Sequence, residues 1–120
     1  MNKNWIGVTT EMSGAVREVR ASAPDVMKGF SALAQAALRA GALDTKTKEL
    51  IALAISVATR CDACVGFHAE AAVKQGASRD EVMETMGMAI YMGAGPSVIY
   101  AAQAVEAFDQ FTDQKGRATA

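Results

Sequence analysis

The stretch from Thr85 to Val105 contains no charged residue, and it limits the possible folds of this chain more than any other feature. It is long enough to span a bilayer. Its centre, however, reads GAGP at Gly93–Pro96, and the rest is mostly Ala, Gly and Met with Tyr, Ser and Gln. We therefore predict two buried helices that meet at a Gly-Pro break rather than a membrane span. Such apolarity in a small protein also indicates a buried subunit interface.

Composition favours a single all-α domain covering residues 1–120. The chain is 51% hydrophobic and only 6% aromatic, and Ala, Met, Leu and Val supply the apolar mass, which suits helices better than sheets. A formal net charge of −1, with no run of basic residues, argues against a nucleic-acid partner or an anionic membrane surface. The N-terminus lacks the apolar segment of a secretory signal, so we expect a cytoplasmic protein.

Helix start and stop signals divide the chain into about six helices. Pro24, Gly41, Gly76 and Pro96 lie where apolar periodicity breaks, and Ser78 with Glu81 has the spacing of a capping box. We expect Asp44 or Thr45 to cap the third helix. The polar tail from residue 112 is expected to fray. The predicted helices cover residues 11–21, 24–41, 46–59, 62–75, 78–93 and 96–111, the third being apolar nearly all round and therefore central.

Both cysteines and the only histidine lie in one segment, RCDACVGFH, at the junction of the third and fourth helices. Cys61 falls at the N-terminus of the fourth helix and Cys64 in its first turn. Unpaired backbone N–H groups and the helix dipole there favour a thiolate and lower the pKa of a thiol from its usual value of about 8.5. His68 follows Cys64 by one helical turn and can accept the thiol proton. These residues predict a redox-active thiol pair.

Other interpretations of the cysteines stay open at this point. A structural disulfide is disfavoured because no secretion signal is present and a short loop constrains the unfolded chain little. A zinc site would need a fourth ligand from a carboxylate or another subunit, since the chain has one histidine. Two inert cysteines packed beside a histidine are the remaining alternative.

With Glu49 included, the pattern becomes E-x11-C-x2-C-x3-H, ending at His68. This pattern resembles the AhpD-like alkylhydroperoxidase branch of the carboxymuconolactone decarboxylase family. The resemblance extends over residues 25–111, through TKELIALAIS before the cysteines and AIYMGAGPSVIYAAQA near the end. It implies an all-α fold that assembles as trimers or hexamers.

The resemblance also implies a chemistry, a thiol-based peroxidase or disulfide reductase that needs no cofactor or metal. Cys64 would be the peroxidatic nucleophile, and Cys61 would resolve its sulfenic acid as a Cys61–Cys64 disulfide. His68 and Glu49 would form the proton relay. Some relatives carry a further histidine just before the second cysteine, where this chain has Ala63, so the relay here is shorter.

Helical geometry raises a question about Glu49. If the third and fourth helices form a hairpin that turns near residue 61, Glu49 should lie opposite residues 72–73, one turn beyond His68. A water bridge or a tilted crossing would then be needed to connect the two side chains. Without the resemblance, Glu49 could instead be an ordinary exposed acid in the first turn of a helix.

Three functions are therefore compatible with these residues. The first is a hydroperoxidase that takes a small hydroperoxide and is reduced by an external dithiol, a thioredoxin-like protein or a lipoyl protein. The second is a redox-sensing or dithiol-exchange module with little peroxidase activity. The third is a lactone decarboxylase or isomerase that uses His68 and Glu49 as acid and base while the cysteines take no part.

Overall fold

Five helices make up the part of the chain that the computed structural model describes, residues 3–119, and no strand occurs in that range. The all-α prediction is confirmed. Met1, Asn2 and Ala120, which belong to the predicted termini, lie outside the described residues. The helices are α1 (Trp5–Ser22), α2 (Pro24–Leu38), α3 (Thr45–Ala58), α4 (Asp62–Lys74) and α5 (Arg79–Thr119).

Helix α1 begins six residues earlier than the sequence predicts, at Trp5 rather than Glu11. Asn4 caps it, because its side chain accepts the backbone N–H of Gly7 at 3.1 Å. Trp5 is fully buried, and its indole N–H donates to Glu106 at 3.1 Å. Contacts with distant residues therefore stabilise a helix start that the apolar periodicity of the sequence does not predict.

Most other helix ends follow the predicted signals. Asp44 caps α3 by accepting the N–H of Thr47 at 2.7 Å. Gly76 follows α4 with a φ of 78°, a conformation that suits glycine. Helix α2 ends at Leu38 rather than near Gly41, and the Lys48 ammonium donates to the carbonyls of residues 37 and 39 at this end.

The predicted fifth and sixth helices are two segments of one helical run, α5, which breaks at Ala94. Ala94 has φ 57° and ψ −145°, values outside the helical region, and Pro96 follows the break. The break lies within the predicted GAGP sequence. The second segment continues to Thr119, through the polar residues for which we expected fraying.

The core lies between α3, α4 and both segments of α5, with Trp5 inserted from α1. Helix α3 is not buried all round within one chain, since Ile51 and Ile55 are exposed. Among residues 3–119, no helix combines the length and apolarity needed to cross a membrane. Fully buried core side chains are Trp5, Leu53, Val57, Val65, Ala69, Ala72, Val82, Ala104 and Ala107.

Candidate redox site at the turn between α3 and α4

The turn that carries the first cysteine is only a few residues long and ends α3 as it begins α4. Arg60 has a φ of 57°, the left-handed conformation that commonly follows the end of a helix. Its N–H donates to the carbonyl of Val57 at 3.2 Å, and the N–H of Cys61 donates to that of Ser56 at 3.1 Å. This pair of bonds is a Schellman motif. Cys61 is therefore held by α3 while it serves as the N-cap of α4.

Cys61 and Cys64 are joined in a disulfide, with their Cα atoms 5.2 Å apart. The backbone N–H of Cys64 donates to Cys61 Sγ at 3.3 Å. Both residues are partly buried. The predicted position at the amide-rich start of α4 is confirmed, and that N–H group would also stabilise a thiolate on Cys61 after reduction.

Glu49 contacts His68 directly, with 2.8 Å between Oε1 and Nδ1. The gap that a regular hairpin predicts between Glu49 and His68 is therefore closed by direct contact rather than through a water molecule. In a regular hairpin the offset between the two residues would be about 6 Å. The side chain of Glu49 is 9% exposed and that of His68 is 33% exposed, so the pair connects the interior to the surface.

The contact determines which nitrogen of His68 can act as a base. An ionised Glu49 carboxylate can only accept a hydrogen bond, so the ring donates through Nδ1. Nε2 then carries the lone pair. The arrangement, a carboxylate that orients an imidazole one turn after a cysteine, is typical of a site that activates a nucleophile.

A second polar network, not predicted from the sequence, lies beside Cys61. Asp62, in the first turn of α4, accepts a hydrogen bond from Lys3 at 2.6 Å and from the Tyr100 hydroxyl at 2.8 Å. These bonds hold the pKa of Asp62 below its ordinary value, the Lys3 bond having the larger effect. The bond to Asp62 is also the main reason why the pKa of Tyr100 is raised. Asp62 follows Cys61 directly, which is the one local signal that could have indicated it.

Ala63 lies between the two cysteines in the first turn of α4 and offers no side chain that could extend the proton relay. Across residues 3–119, no group of three or more His, Cys, Asp or Glu side chains is placed to hold a metal ion. The reactive groups gathered at this turn are the cysteine pair, an imidazole and a carboxylate.

Comparison with known proteins places the chain in a wider group. The sequence profile of the carboxymuconolactone decarboxylase family matches residues 24–107. An uncharacterized protein from Haemophilus influenzae is 40% identical over 108 residues, which cover 90% of this chain and 96% of that protein. An uncharacterized protein from Cupriavidus necator is 36% identical over 100 residues, which cover 83% of this chain and 88% of that protein.

Solved structures agree with the sequence comparison. The apo form of a carboxymuconolactone decarboxylase family protein from Legionella pneumophila superposes with a TM-score of 0.88 and is 51% identical, covering 90% of this chain and 96% of that one. A family member from Thermotoga maritima, suggested to take part in an antioxidative response, gives a TM-score of 0.81 at 28% identity, with coverage of 93% and 96%. From its helical fold and from these matches, the chain belongs to the carboxymuconolactone decarboxylase family.

Proposed function

We propose that this protein is a thiol-dependent hydroperoxidase and disulfide reductase of the AhpD-like branch. The observation that carries the proposal is the combination of the Cys61–Cys64 disulfide at the start of α4 with the direct Glu49–His68 contact one turn further on. A lactone decarboxylase needs only the acid and the base. A reversible disulfide placed at a helix N-terminus serves redox chemistry.

The proposed cycle begins with the reduced pair. His68 Nε2 accepts the thiol proton of Cys64, and the thiolate attacks the O–O bond of a hydroperoxide. An S–O bond forms, the O–O bond breaks, and the alcohol leaves with the proton, so that Cys64 becomes a sulfenic acid. The Cys61 thiol then attacks Cys64 Sγ, which releases water and forms the disulfide. An external dithiol supplies two electrons and two protons and leaves as its own disulfide.

Local geometry supports the roles of the two cysteines. The N–H of Cys64 already donates to Cys61 Sγ at 3.3 Å, so reduction would release Cys61 as a stabilised leaving group. Glu49 orients His68 from the interior, and it would stabilise the imidazolium that forms when the ring accepts a proton. Because this chain has Ala63 where some relatives have a further histidine, His68, oriented by Glu49, would be the proton acceptor for Cys64.

Substitution of each cysteine tests the proposal. The reduced protein is mixed with cumene hydroperoxide or hydrogen peroxide, and dithiothreitol or dihydrolipoamide serves as the reductant. We expect Cys64→Ser to abolish peroxide consumption and Cys61→Ser to leave a sulfenic acid on Cys64 that a dimedone probe traps. If both variants consume peroxide like the parent, or if the pH midpoint for alkylation of Cys64 is about 8.5 or above, the mechanism is wrong.

The same assay separates the two alternative functions. Reversible exchange with dithiols without measurable peroxide turnover would select the redox-sensing or dithiol-exchange module. Full activity on a lactone after the double substitution Cys61→Ala/Cys64→Ala would select the lactone enzyme, because Glu49 and His68 stay in place in that variant.

We also propose that the protein works as a homotrimer or homohexamer. Helix α2 has no buried residue within the chain, yet Val26, Phe30 and Leu33 lie along one of its faces and are 60–70% exposed. An exposed apolar face of this kind favours contact with a second copy of the same chain. Sedimentation should show that Phe30→Glu lowers the assembled mass, whereas Gln35→Glu, an added charge elsewhere on α2, should not. A parent protein that sediments as a monomer would contradict the proposal.

A further inference from the structure

Three residues that are distant in sequence meet beside the first cysteine. Lys3 lies just before α1, Asp62 begins α4, and Tyr100 lies in α5 after the break at Ala94. The Lys3 ammonium is 2.6 Å from one carboxylate oxygen of Asp62, and the Tyr100 hydroxyl is 2.8 Å from the other. Both oxygens of the carboxylate are thus engaged.

The Lys3 ammonium is held in place by further contacts. It donates to Gln103 at 3.4 Å and lies 4.8 Å from the centre of the Trp5 ring, whose indole is fully buried. Side-chain exposures of 35% for Lys3 and 45% for Asp62 place the ion pair at the edge of the protein rather than free in solvent. These three contacts hold the Lys3 ammonium group close to the start of α4.

An unpaired carboxylate at this position would oppose the proposed chemistry. Asp62 directly follows Cys61, and a negative charge there disfavours a second negative charge on the neighbouring sulfur. The amide of Cys64, which donates to Cys61 Sγ, works in the other direction. The balance between these effects depends on how far Lys3 and Tyr100 neutralise Asp62.

We propose that Lys3, Asp62 and Tyr100 act as positioning residues that set the reduction potential of the Cys61–Cys64 pair by balancing charge beside Cys61. The inference rests on the proposed redox function and adds to it a means of tuning. At pH 8 a thiol at a helix N-terminus is partly ionised, so the reduced pair holds negative charge at Cys61 at equilibrium. Lys3 and the Tyr100 hydroxyl stabilise that reduced form by offsetting the charge of Asp62.

The proposal predicts that Lys3→Gln and Asp62→Asn shift the reduction potential of the cysteine pair in opposite directions. Lys3→Gln leaves Asp62 less compensated, so the equilibrium with dithiothreitol at pH 8 should move about two- to fivefold toward the disulfide. Asp62→Asn removes the negative charge and should move it by a similar factor toward the dithiol. A fivefold shift corresponds to about 20 mV for this two-electron couple. Alkylation rates of Cys61, measured in the Cys64→Ser background, should follow the same order.

The double variant Lys3→Gln/Asp62→Asn should return to within about twofold of the parent, since both charges are gone. Tyr100→Phe removes only a hydroxyl and should shift the equilibrium in the same direction as Lys3→Gln. Lys74→Gln, at the opposite end of α4, is the matched control. A purely structural role would lower the stability of both single variants without moving their potentials apart.

Shifts of equal sign in the two single variants, or potentials that match the Lys74→Gln control, would overturn the tuning proposal. That failure would leave the hydroperoxidase intact, because peroxide turnover by the parent is measured separately. Conversely, a parent without peroxide turnover but with opposite shifts would overturn the proposed function and support the tuning.

Discussion

Glu49 and His68 lie 19 residues apart in the chain, and their side chains meet at 2.8 Å across the packed helices α3 and α4. The carboxylate is almost fully buried and the imidazole is partly exposed. Because the carboxylate accepts from Nδ1, Nε2 is the ring nitrogen that is left with the lone pair. The contact therefore joins a carboxylate in the interior to an imidazole near the surface.

The first prediction concerns this contact. A glutamine at position 49 can donate its amide N–H to Nδ1, which would move the ring proton to Nε2 and remove the base. We expect Glu49→Gln to lower the peroxide turnover number by about 10²-fold, and His68→Asn to have an effect at least as large. Steady-state assays with dithiothreitol as reductant measure both.

A matched control for Glu49→Gln is Glu84→Gln, which changes an exposed acid on α5. The dependence of the rate on pH should flatten in Glu49→Gln and stay unchanged in Glu84→Gln. Wild-type rates in Glu49→Gln, with a folded protein by circular dichroism, would show that the Glu49–His68 pair has no part in the reaction.

The second prediction concerns the close approach of α1 to α4 at Gly66. A Cβ atom at Gly66 would lie 2.8 Å from Thr9 Cγ2 and 3.5 Å from Trp5 Cε3, both in α1. We expect Gly66→Ala to lower the free energy of unfolding by about 1–3 kcal/mol, because the packed helices must move apart. Gly87→Ala, where nothing lies within 4 Å, should be neutral or stabilising by up to about 1 kcal/mol. Equal urea midpoints for the two variants would contradict this packing.

The third prediction concerns the capping box at the start of α5. Ser78 Oγ accepts the N–H of Glu81 at 3.1 Å, and Glu81 accepts the N–H of Ser78 at 2.8 Å. Ser78→Ala should therefore cost about 1 kcal/mol of stability, whereas Ser78→Thr keeps the cap and should cost less. Urea unfolding at pH 7 measures both variants. A stable Ser78→Ala variant would mean that the Glu81–Lys46 ion pair at 2.8 Å holds the helix start by itself.

Features set by neighbouring residues could be read from the sequence. The capping box of Ser78 and Glu81, the cap at Asp44 and the glycine at position 76 all depend on contacts within a few residues, and the structure confirms each. The place of Cys61 at the start of α4 follows from the same kind of signal. The fold class follows from the sum of such signals.

Features that depend on how helices pack could not be read in this way. The Glu49–His68 contact depends on the relative placement of α3 and α4, which helical rise alone does not give. Lys3 and Tyr100 reach Asp62 from 59 and 38 residues away, and no local pattern marks either of them. The early start of α1 likewise depends on burial of Trp5 beneath distant helices.

The fourth prediction concerns Arg60, which has a φ of 57° just before Cys61. A residue with a Cβ atom is strained in this region by roughly 1 kcal/mol relative to glycine. We expect Arg60→Gly to raise the free energy of unfolding by up to about 1 kcal/mol, less the flexibility that glycine adds to the unfolded chain. Arg60→Val, a β-branched residue at the same φ, should be clearly destabilising. Thermal unfolding of the reduced proteins compares the two, and a glycine variant less stable than the valine variant would contradict the strain.

The fifth prediction concerns the response of the Asp62 network to acid. The pKa of Asp62 lies below its ordinary value of 3.8, first because of the Lys3 hydrogen bond and then because of the Tyr100 bond. A carboxyl group with a lowered pKa in the folded state contributes stability above its unfolded-state pKa and loses it as the pH falls through the folded-state value. Asp62→Asn should therefore be less stable than the parent above about pH 5, by less than about 1 kcal/mol since the pair is partly exposed, and the difference should shrink as the pH falls below the ordinary value of 3.8.

Urea unfolding at several pH values between 7 and 2 measures this difference. Asp113→Asn, an exposed position in α5, should show no such convergence. If the difference in the free energy of unfolding between the parent and Asp62→Asn stays constant over the whole pH range, the charge of the Asp62 carboxylate does not stabilise its network with Lys3 and Tyr100. The tuning of the disulfide by Lys3 would then lose its electrostatic basis as well, because both effects depend on the same charge beside Cys61.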